Sequence, residues 1–390
     1  MGDVSVTSGR LSVALIASNR FPIAQPFAGG LEAHIWHLTR ELVRSGHRVT
    51  LFAGPGSDPD LPSDLLDVQQ LQLTQWAKSD VSMPSDDFMS DHHAYQRLML
   101  DLASDHRFDI VHNHSLHYLP VAMASTLTTP FLTTLHTPPT PWIESAVAAS
   151  DGNSGRFAAV SRHTASMWHT VLSEVDIVPN GVGVDDWPAG DGGPYLVWSG
   201  RFTPEKGPHV AIEAAEMAGY PLKLAGPISD PDYFFREVGP RLGERTTYVG
   251  HLEQRELAGL VGGAAAVLAT PLWDEPYGLV VAEALACGTP VAAFARGGIP
   301  EIVSTDSGVL VPPGDVRALA AAVARATELP RAGVRAHAER HCSARTMVDA
   351  YIALYRDMLG ASVARLPHGH RHHSGSRTQT SALTLTADCI

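Results

Sequence analysis

Apolar positions along the chain alternate between two spacings. Short continuous apolar runs occur at "LSVALIAS" (11–18), "HRVTLFAGPG" (47–56), "FDIVHNHS" (108–115) and "PFLTTLHTPP" (130–139), and "RFAAVSRHTASMW" (156–168) passes from an apolar run into a helical pattern. Runs of this length bounded by turn residues read as buried strands. Between the first two, "LEAHIWHLTRELVRSG" places Leu31, Ile35, Leu38 and Leu42 on one helical face and stops at Gly46. A polar stretch (57–90) and a helix over about 91–105 follow. Continuous rather than alternating strands argue for a parallel sheet covered on both faces.

The segment 175–194, "VDIVPNGVGVDDWPAGDGGP", is rich in Gly, Pro and Asp and carries no period, so it reads as a boundary. The alternation then restarts. "YLVWSGR", "LKLAGP", "TYVGHL", "AAVLATP", "PVAAFA" and "GVLVPPG" are predicted strands, with helices over about 207–218, 233–242, 253–262, 278–287 and 315–327. The expected architecture is α/β: two Rossmann-like doubly wound domains, 1–185 and 186–342, facing a central cleft at the carboxyl ends of their strands. "SARTMVDAYIALYRDMLG" (343–360) predicts an amphipathic helix long enough to lie back across both domains. Residues 361–390 hold "HGHRHH" and a Ser/Thr-rich run. Those histidines offer metal ligands, but a polar terminal tail reads first as disordered.

A length of 390 residues agrees with two domains. With 28 Lys and Arg against 41 Asp and Glu, the net charge is −13, and no basic run occurs. A nucleic-acid-binding surface is not expected. The cysteines are Cys287, Cys342 and Cys389, without a C-x-x-C pair, which argues against a disulfide framework and for a reducing cytoplasm. A first strand accounts for 11–18 better than a signal peptide does, and no apolar run reaches the ~20 residues of a membrane span.

Three stretches carry chemistry. In "WSGRFTPEKGP" (198–208), Gly200 lets the backbone turn, and Arg201 and Lys206 project from a strand's carboxyl end. Two cations there suit a diphosphate, although a solvated loop with Glu205 balancing Lys206 has the same composition. In "ARGGIPEIV" (295–303), Gly297 and Gly298 before a short helix permit amides to approach an anion, or form an ordinary turn. "EPYGLVVAEALACGTPV" (275–291) sets Glu275 and Glu283 eight residues apart. Eight helical residues rise ~12 Å, whereas paired glycosidase carboxylates stand roughly 5–9.5 Å apart. Two separate anchors for hydroxyls on one ligand fit better than an acid/base pair.

This last stretch resembles the E-x7-E motif of the retaining glycosyltransferases of family 4, which have the two-domain GT-B fold. The resemblance covers roughly 11–360 and includes Gly29-Gly30, "LHTP" (135–138), "VPNGV" (178–182), "SGRFTPEKG" (199–207), "GHL" (250–252) and "GGIPEIV" (297–303). It implies that Arg201 and Lys206 hold a donor diphosphate and that Glu283 binds the ribose. Glu275 would contact the transferred sugar, with the amides of Tyr277, Gly278 and Leu279 near sugar and phosphate and Leu252 by the base. His136 would approach the sugar from the amino-terminal domain, Gly30 would bring amides to the phosphate or acceptor, and Gly297 would lie on the donor side. It also implies a nucleotide-sugar co-substrate, with UDP-glucose the first guess and GDP- or ADP-sugars open. No metal or other cofactor is implied, and "DPD" at 58–60 and 230–232 reads as polar loop. The acceptor is open between small molecule, glycan and lipid, with recognition expected in loops 19–30, 57–92 and 137–150. His112, His114 and His163 fall near predicted strand ends and are equally readable as acceptor contacts or as loop histidines. The alternatives are a nucleotide-sugar epimerase, a phosphorylase, or a non-catalytic scaffold for a nucleotide or polysaccharide.

Overall fold

The structure, a computed structural model, describes residues 9–66, 71–80, 82 and 84–365. Cys389 and the histidine cluster of the tail lie outside the described residues.

The first lobe is a seven-stranded sheet in the order β3-β2-β1-β4-β5-β6-β7. Its strands are β1 (Ser12–Ile16), β2 (Arg48–Ala53), β3 (Ser63–Leu65), β4 (Ile110–Asn113), β5 (Phe131–Leu135), β6 (Arg156–Ala159) and β7 (Asp176–Ile177). All of its pairings are parallel. The interleaved helices are α1 (Gly30–Arg44), α2 (Gln75–Lys78), α3 (Asp86–Ser104), α4 (Tyr118–Ala122), α5 (Pro141–Ala149) and α6 (Arg162–Trp168). The polar stretch 57–90 thus contains β3 and α2, and α3 begins at Asp86, earlier than its periodicity predicts, because Ser85 caps it by accepting from the Phe88 N–H.

The second lobe is a six-stranded parallel sheet in the order β10-β9-β8-β11-β12-β13. It comprises β8 (Leu196–Ser199), β9 (Leu222–Ala225), β10 (Thr246–Tyr248), β11 (Ala266–Ala269), β12 (Val291–Phe294) and β13 (Gly308–Val311). Its helices are α7 (Pro208–Ala218), α8 (Pro231–Tyr233), α9 (Gln254–Gly262), α10 (Leu279–Ala286), α11 (Ile299–Ile302), α12 (Val316–Thr327) and α13 (Arg331–His341). In each sheet the strand order reverses at a central pair, β1/β4 and β8/β11, which is where open α/β sheets form a ligand crevice.

The chain crosses between lobes at 178–187 and again at 342–344. The crossings lie against each other: Val182 bridges Ser343, and a Cβ at Gly181 would stand 2.5 Å from the Ser343 carbonyl oxygen. After the second crossing, α14 (Ala344–Arg365) packs onto the first lobe and runs past the predicted end at 360. Met347, Val348, Tyr351, Ile352, Leu354, Tyr355 and Met358 share one core with Ile35, Leu38 and Leu42 of α1 and with strands β1 and β2. No helix among the described residues is long and apolar enough to cross a membrane.

Candidate active site

Loops at the carboxyl ends of both sheets enclose a cleft of about 420 Å³, within the usual range for small-molecule sites. Its second-lobe wall begins where β8 ends. Gly200 and Gly226 adopt φ values of 151° and 136°, and a Cβ on Gly226 would stand 1.9 Å from the Gly200 oxygen. Only glycine permits that approach, and it turns the chain so that Arg201 enters the cleft. A 3-10 turn, Pro204–Lys206, then presents Lys206. This turn is fastened to the loop after β11, since Leu272 N–H donates to the Glu205 oxygen at 2.7 Å and Thr270 Oγ1 to the Gly207 oxygen at 2.8 Å.

That fastening brings Lys206 onto Glu275. Lys206 Nζ lies 2.8 and 2.7 Å from the two carboxylate oxygens, and Trp273 Nε1 donates to Oε2 at 2.9 Å. The two charged side chains are only 20% and 17% exposed, so water competes weakly for the pair. Lys206 also lies 5.2 Å from the centre of the Trp273 ring. The sequence offers Glu205 as partner to Lys206. In the fold Glu205 instead lies 4.0 Å from Arg201.

Glu275, Pro276 and Tyr277 form a strap held from both lobes. Gly298 N–H donates to the Glu275 oxygen at 2.7 Å. Across the cleft, Ser161 Oγ and Thr164 Oγ1 donate to the Pro276 oxygen at 2.6 and 3.1 Å. Nearby, the amides of Arg162 and His163 donate to the Glu301 carboxylate at 2.9 and 2.8 Å. Gly297 packs directly under this strap. With φ of 62° and a would-be Cβ 2.1 Å from the Glu275 oxygen, it is the surface on which the strap rests.

Tyr277, Gly278 and Leu279 do line the cleft. Gly278 (φ 111°) caps α10, whose second turn carries Glu283 into the cleft wall. Burial pushes the Glu283 carboxyl up to about 7. Leu252 and Gly30 line the cleft as well, and Gly30 meets the other lobe there, its would-be Cβ 3.0 Å from Leu279 Cδ1. The lobes also touch where His251 Nε2 lies 3.0 Å from the Phe27 oxygen and where Gln25 and Gln254 exchange hydrogen bonds at 3.3 Å.

The first-lobe wall holds His136, just beyond β5. Burial lowers its pKa to about 3, so the imidazole is neutral. Its Nε2 is 3.0 Å from His114 Nδ1, and His114 Nε2 is 3.2 Å from His112 Nδ1. His112 lies 2.6 Å from Tyr355 OH and 2.8 Å from Thr134 Oγ1, and Thr134 Oγ1 is 3.0 Å from Tyr351 OH. His112 and His114 are therefore buried behind His136, not at an acceptor surface. His163 sits near Asp274 at 3.8 Å. Of the two "DPD" segments, Asp58 accepts from Trp36 Nε1 at 2.9 Å and Asp230 caps α8.

Several residues at the cleft have no role assigned from sequence, although Asn180 falls within "VPNGV" (178–182). Glu32 is buried in the first turn of α1, and burial raises its pKa while Arg201 and Arg20 oppose the shift. Asn180 Oδ1 is buried against the cleft with no hydrogen-bond partner. Trp273, Ser161 and Thr164 are recognisable only from their contacts.

Two family models match in succession: Glycosyltransferase Family 4 over residues 28–186 and Glycosyl transferases group 1 over residues 185–341. The chain belongs to family 4 of the glycosyltransferases and is a glycosyltransferase of the GT-B fold. Among curated proteins it is 29% identical to glycogen synthase of Mycobacterium tuberculosis over 351 residues, 79% of this chain and 84% of that one. It is 27% identical to D-inositol 3-phosphate glycosyltransferase of Mycolicibacterium smegmatis, with 94% of this chain and 95% of the relative covered. Among solved structures, AviGT4, a glycosyltransferase involved in avilamycin A biosynthesis, superposes with a TM-score of 0.67 at 24% identity over 90% of this chain and 98% of that one. HepE of Anabaena, solved in complex with UDP-glucose, gives 0.67 at 15% identity over 92% and 100%.

Proposed function

We propose that the protein transfers a hexosyl group, glucosyl from UDP-glucose as first assignment, to an acceptor hydroxyl with retention at the anomeric carbon and without a metal ion. The carrying observation is the Lys206–Glu275 pair in the cleft, between Arg201 and Glu283 on one lobe and neutral His136 on the other. Arg201 and Lys206 take the diphosphate and stabilise the negative charge that builds on the leaving phosphate. As Lys206 turns to phosphate, Glu275 is released to accept from sugar hydroxyls, still held by Trp273. Glu283 accepts from the ribose diol, Leu252 covers the base, and the amides at 277–279 face the sugar and phosphate. His136, being neutral, bonds a sugar hydroxyl without adding charge.

Glu275 and Glu283 are both committed to binding, so neither serves as the nucleophile of a glycosyl-enzyme. The acceptor hydroxyl attacks from the face the phosphate leaves, and the departing phosphate oxygen takes its proton. Contacts across the strap exclude water, which would otherwise hydrolyse the donor. The acceptor, a glycan, small molecule or lipid, enters along the first-lobe wall near Arg20, Phe21 and Leu116. The reduced thiols of Cys287 and Cys342 suit a cytoplasmic setting.

The test is a thermal-shift screen of UDP-, GDP- and ADP-sugars, then mass spectrometry of products with candidate acceptors and anomeric assignment by NMR. UDP-glucose should give the largest shift, and EDTA should leave transfer unchanged. An inverted product removes the mechanism. Binding without product from any acceptor class favours the scaffold reading.

A further inference from the structure

Beside the cleft, two glutamine side chains from opposite lobes fix each other. Gln25 lies in the loop after β1, and Gln254 begins α9. The main-chain N–H of Gln254 donates to Gln25 Oε1 at 3.3 Å. A main-chain N–H can only donate, so this contact settles which end of the Gln25 amide is oxygen. Gln25 Nε2 then donates to Gln254 Oε1, also at 3.3 Å. That leaves Gln254 Nε2 as the free end of the pair. Gln254 is only 8% exposed and lines the cleft, and its Nε2 is buried without a hydrogen-bond partner. A buried amide donor in that state costs the fold free energy until an acceptor reaches it.

We propose that Gln254 Nε2 selects the donor's nucleobase by donating to a keto oxygen on its far edge. Gln25, from the other lobe, is the positioning residue that keeps a hydrogen-bond donor turned to the base. The proposal rests on the placement of the base at Leu252 and the ribose at Glu283 given above. Gln254 stands two residues beyond Leu252. It follows β10, the edge strand of the second sheet, whereas Glu283 follows β11 at the centre of that sheet. A nucleoside laid from Glu283 towards Leu252 thus turns the edge opposite its ribose to Gln254. Uracil carries O4 there and guanine O6, both acceptors, whereas cytosine and adenine carry amino groups, which are donors. Two donors facing each other cannot bond, and the buried amide would stay unpaired. Gln254 therefore favours uracil over cytosine and guanine over adenine. Because the contact that orients it comes from the first lobe, base selection is complete only when the lobes are closed.

Calorimetric titration of the full chain with UDP, CDP, GDP and ADP tests this without a sugar or an acceptor. Within the pair that binds more tightly, pyrimidine or purine, the keto base should bind about tenfold or more tighter than the amino base. Gln254→Leu should bring that ratio to within about threefold of one. Gln25→Glu is the sharper test. The introduced carboxylate still accepts from the Gln254 N–H but cannot donate. The Gln254 amide then turns over, gives Nε2 to the carboxylate and shows Oε1 to the base, so the amino base should bind tighter than the keto base. A loss of packing alone would weaken both together and leave the ratio as it was. An unchanged ratio in Gln25→Glu, or a wild type without keto preference, overturns the proposal. Gln25 is exposed, so this variant decides the matter should Gln254→Leu not fold. The failure of the underlying reading looks different: absence of binding by all four nucleotides removes the donor site itself, and the proposal with it. A GDP-binding chain with the keto preference intact keeps the proposal and replaces only the first assignment of UDP.

Discussion

The Lys206–Glu275 pair concentrates the consequences that single residues have here. Lys206→Ala and Glu275→Ala should each lower kcat by at least about a hundredfold, the scale of losing one positioned charge, with the far-ultraviolet spectrum unchanged. Steady-state assays check this, and full activity in either variant would contradict the roles given. Glu283 sets a pH dependence. Its carboxyl ionises near 7 in the fold against an ordinary value of 4.5, so the folded chain holds the proton longer than the unfolded one. Stability is thereby lost as pH rises from 4.5 to 7, and the full penalty remains above that. Glu283→Gln removes it, so the variant's Tm advantage should grow from pH 5 to pH 8. Ribose hydroxyls donate to the ionised form, so donor affinity in the wild type should improve towards pH 7 and level off beyond it. Titration calorimetry across that range reads the effect, and a flat profile would exclude Glu283 as the ribose anchor.

At the scale of elements, the strap Glu275–Tyr277 is placed by glycine backbones. Gly297→Ala meets a carbonyl oxygen at 2.1 Å with φ at 62°, so it should cost about 1–3 kcal/mol and displace Glu275. Both Tm and transfer should fall, whereas Gly314→Ala, with open space around it, should lower Tm by less and leave transfer unchanged. Gly297 is also instructive about what can be read from a chain. Its position before a helix suggests an anion cradle, and only the packing of a distant loop shows that it also supports the strap. The strands were legible because buried parallel strands are written as apolar runs. The helix Arg331–His341 was not, since few of its residues are buried and its sequence is mostly Arg, Ala and His. Short β7 lies inside a segment whose Gly, Pro and Asp content reads as linker. Motif residues on strand-end loops were recognisable one by one, but Lys206 and Glu275 are 69 positions apart and nothing in either neighbourhood announces the pairing.

At the scale of the molecule, two lobes meet over the strap, and α14 returns to the first of them. A chain ending at residue 343 loses seven large apolar side chains from the first-lobe core. At about 1.5–3 kcal/mol for each, that loss rivals the 5–15 kcal/mol typical of whole-domain stability. The truncated protein should be insoluble or lack a cooperative melt, and a supplied 344–365 peptide should partly restore solubility. This return also orders events during synthesis. The second lobe, whose sheet and helices lie between 196 and 341, can complete itself as it leaves the ribosome. The first lobe must wait, its apolar stripe uncovered, until the final helix has been translated. The half of the enzyme that is made first is therefore finished last, with its apolar stripe exposed to misassembly for as long as the rest is being made.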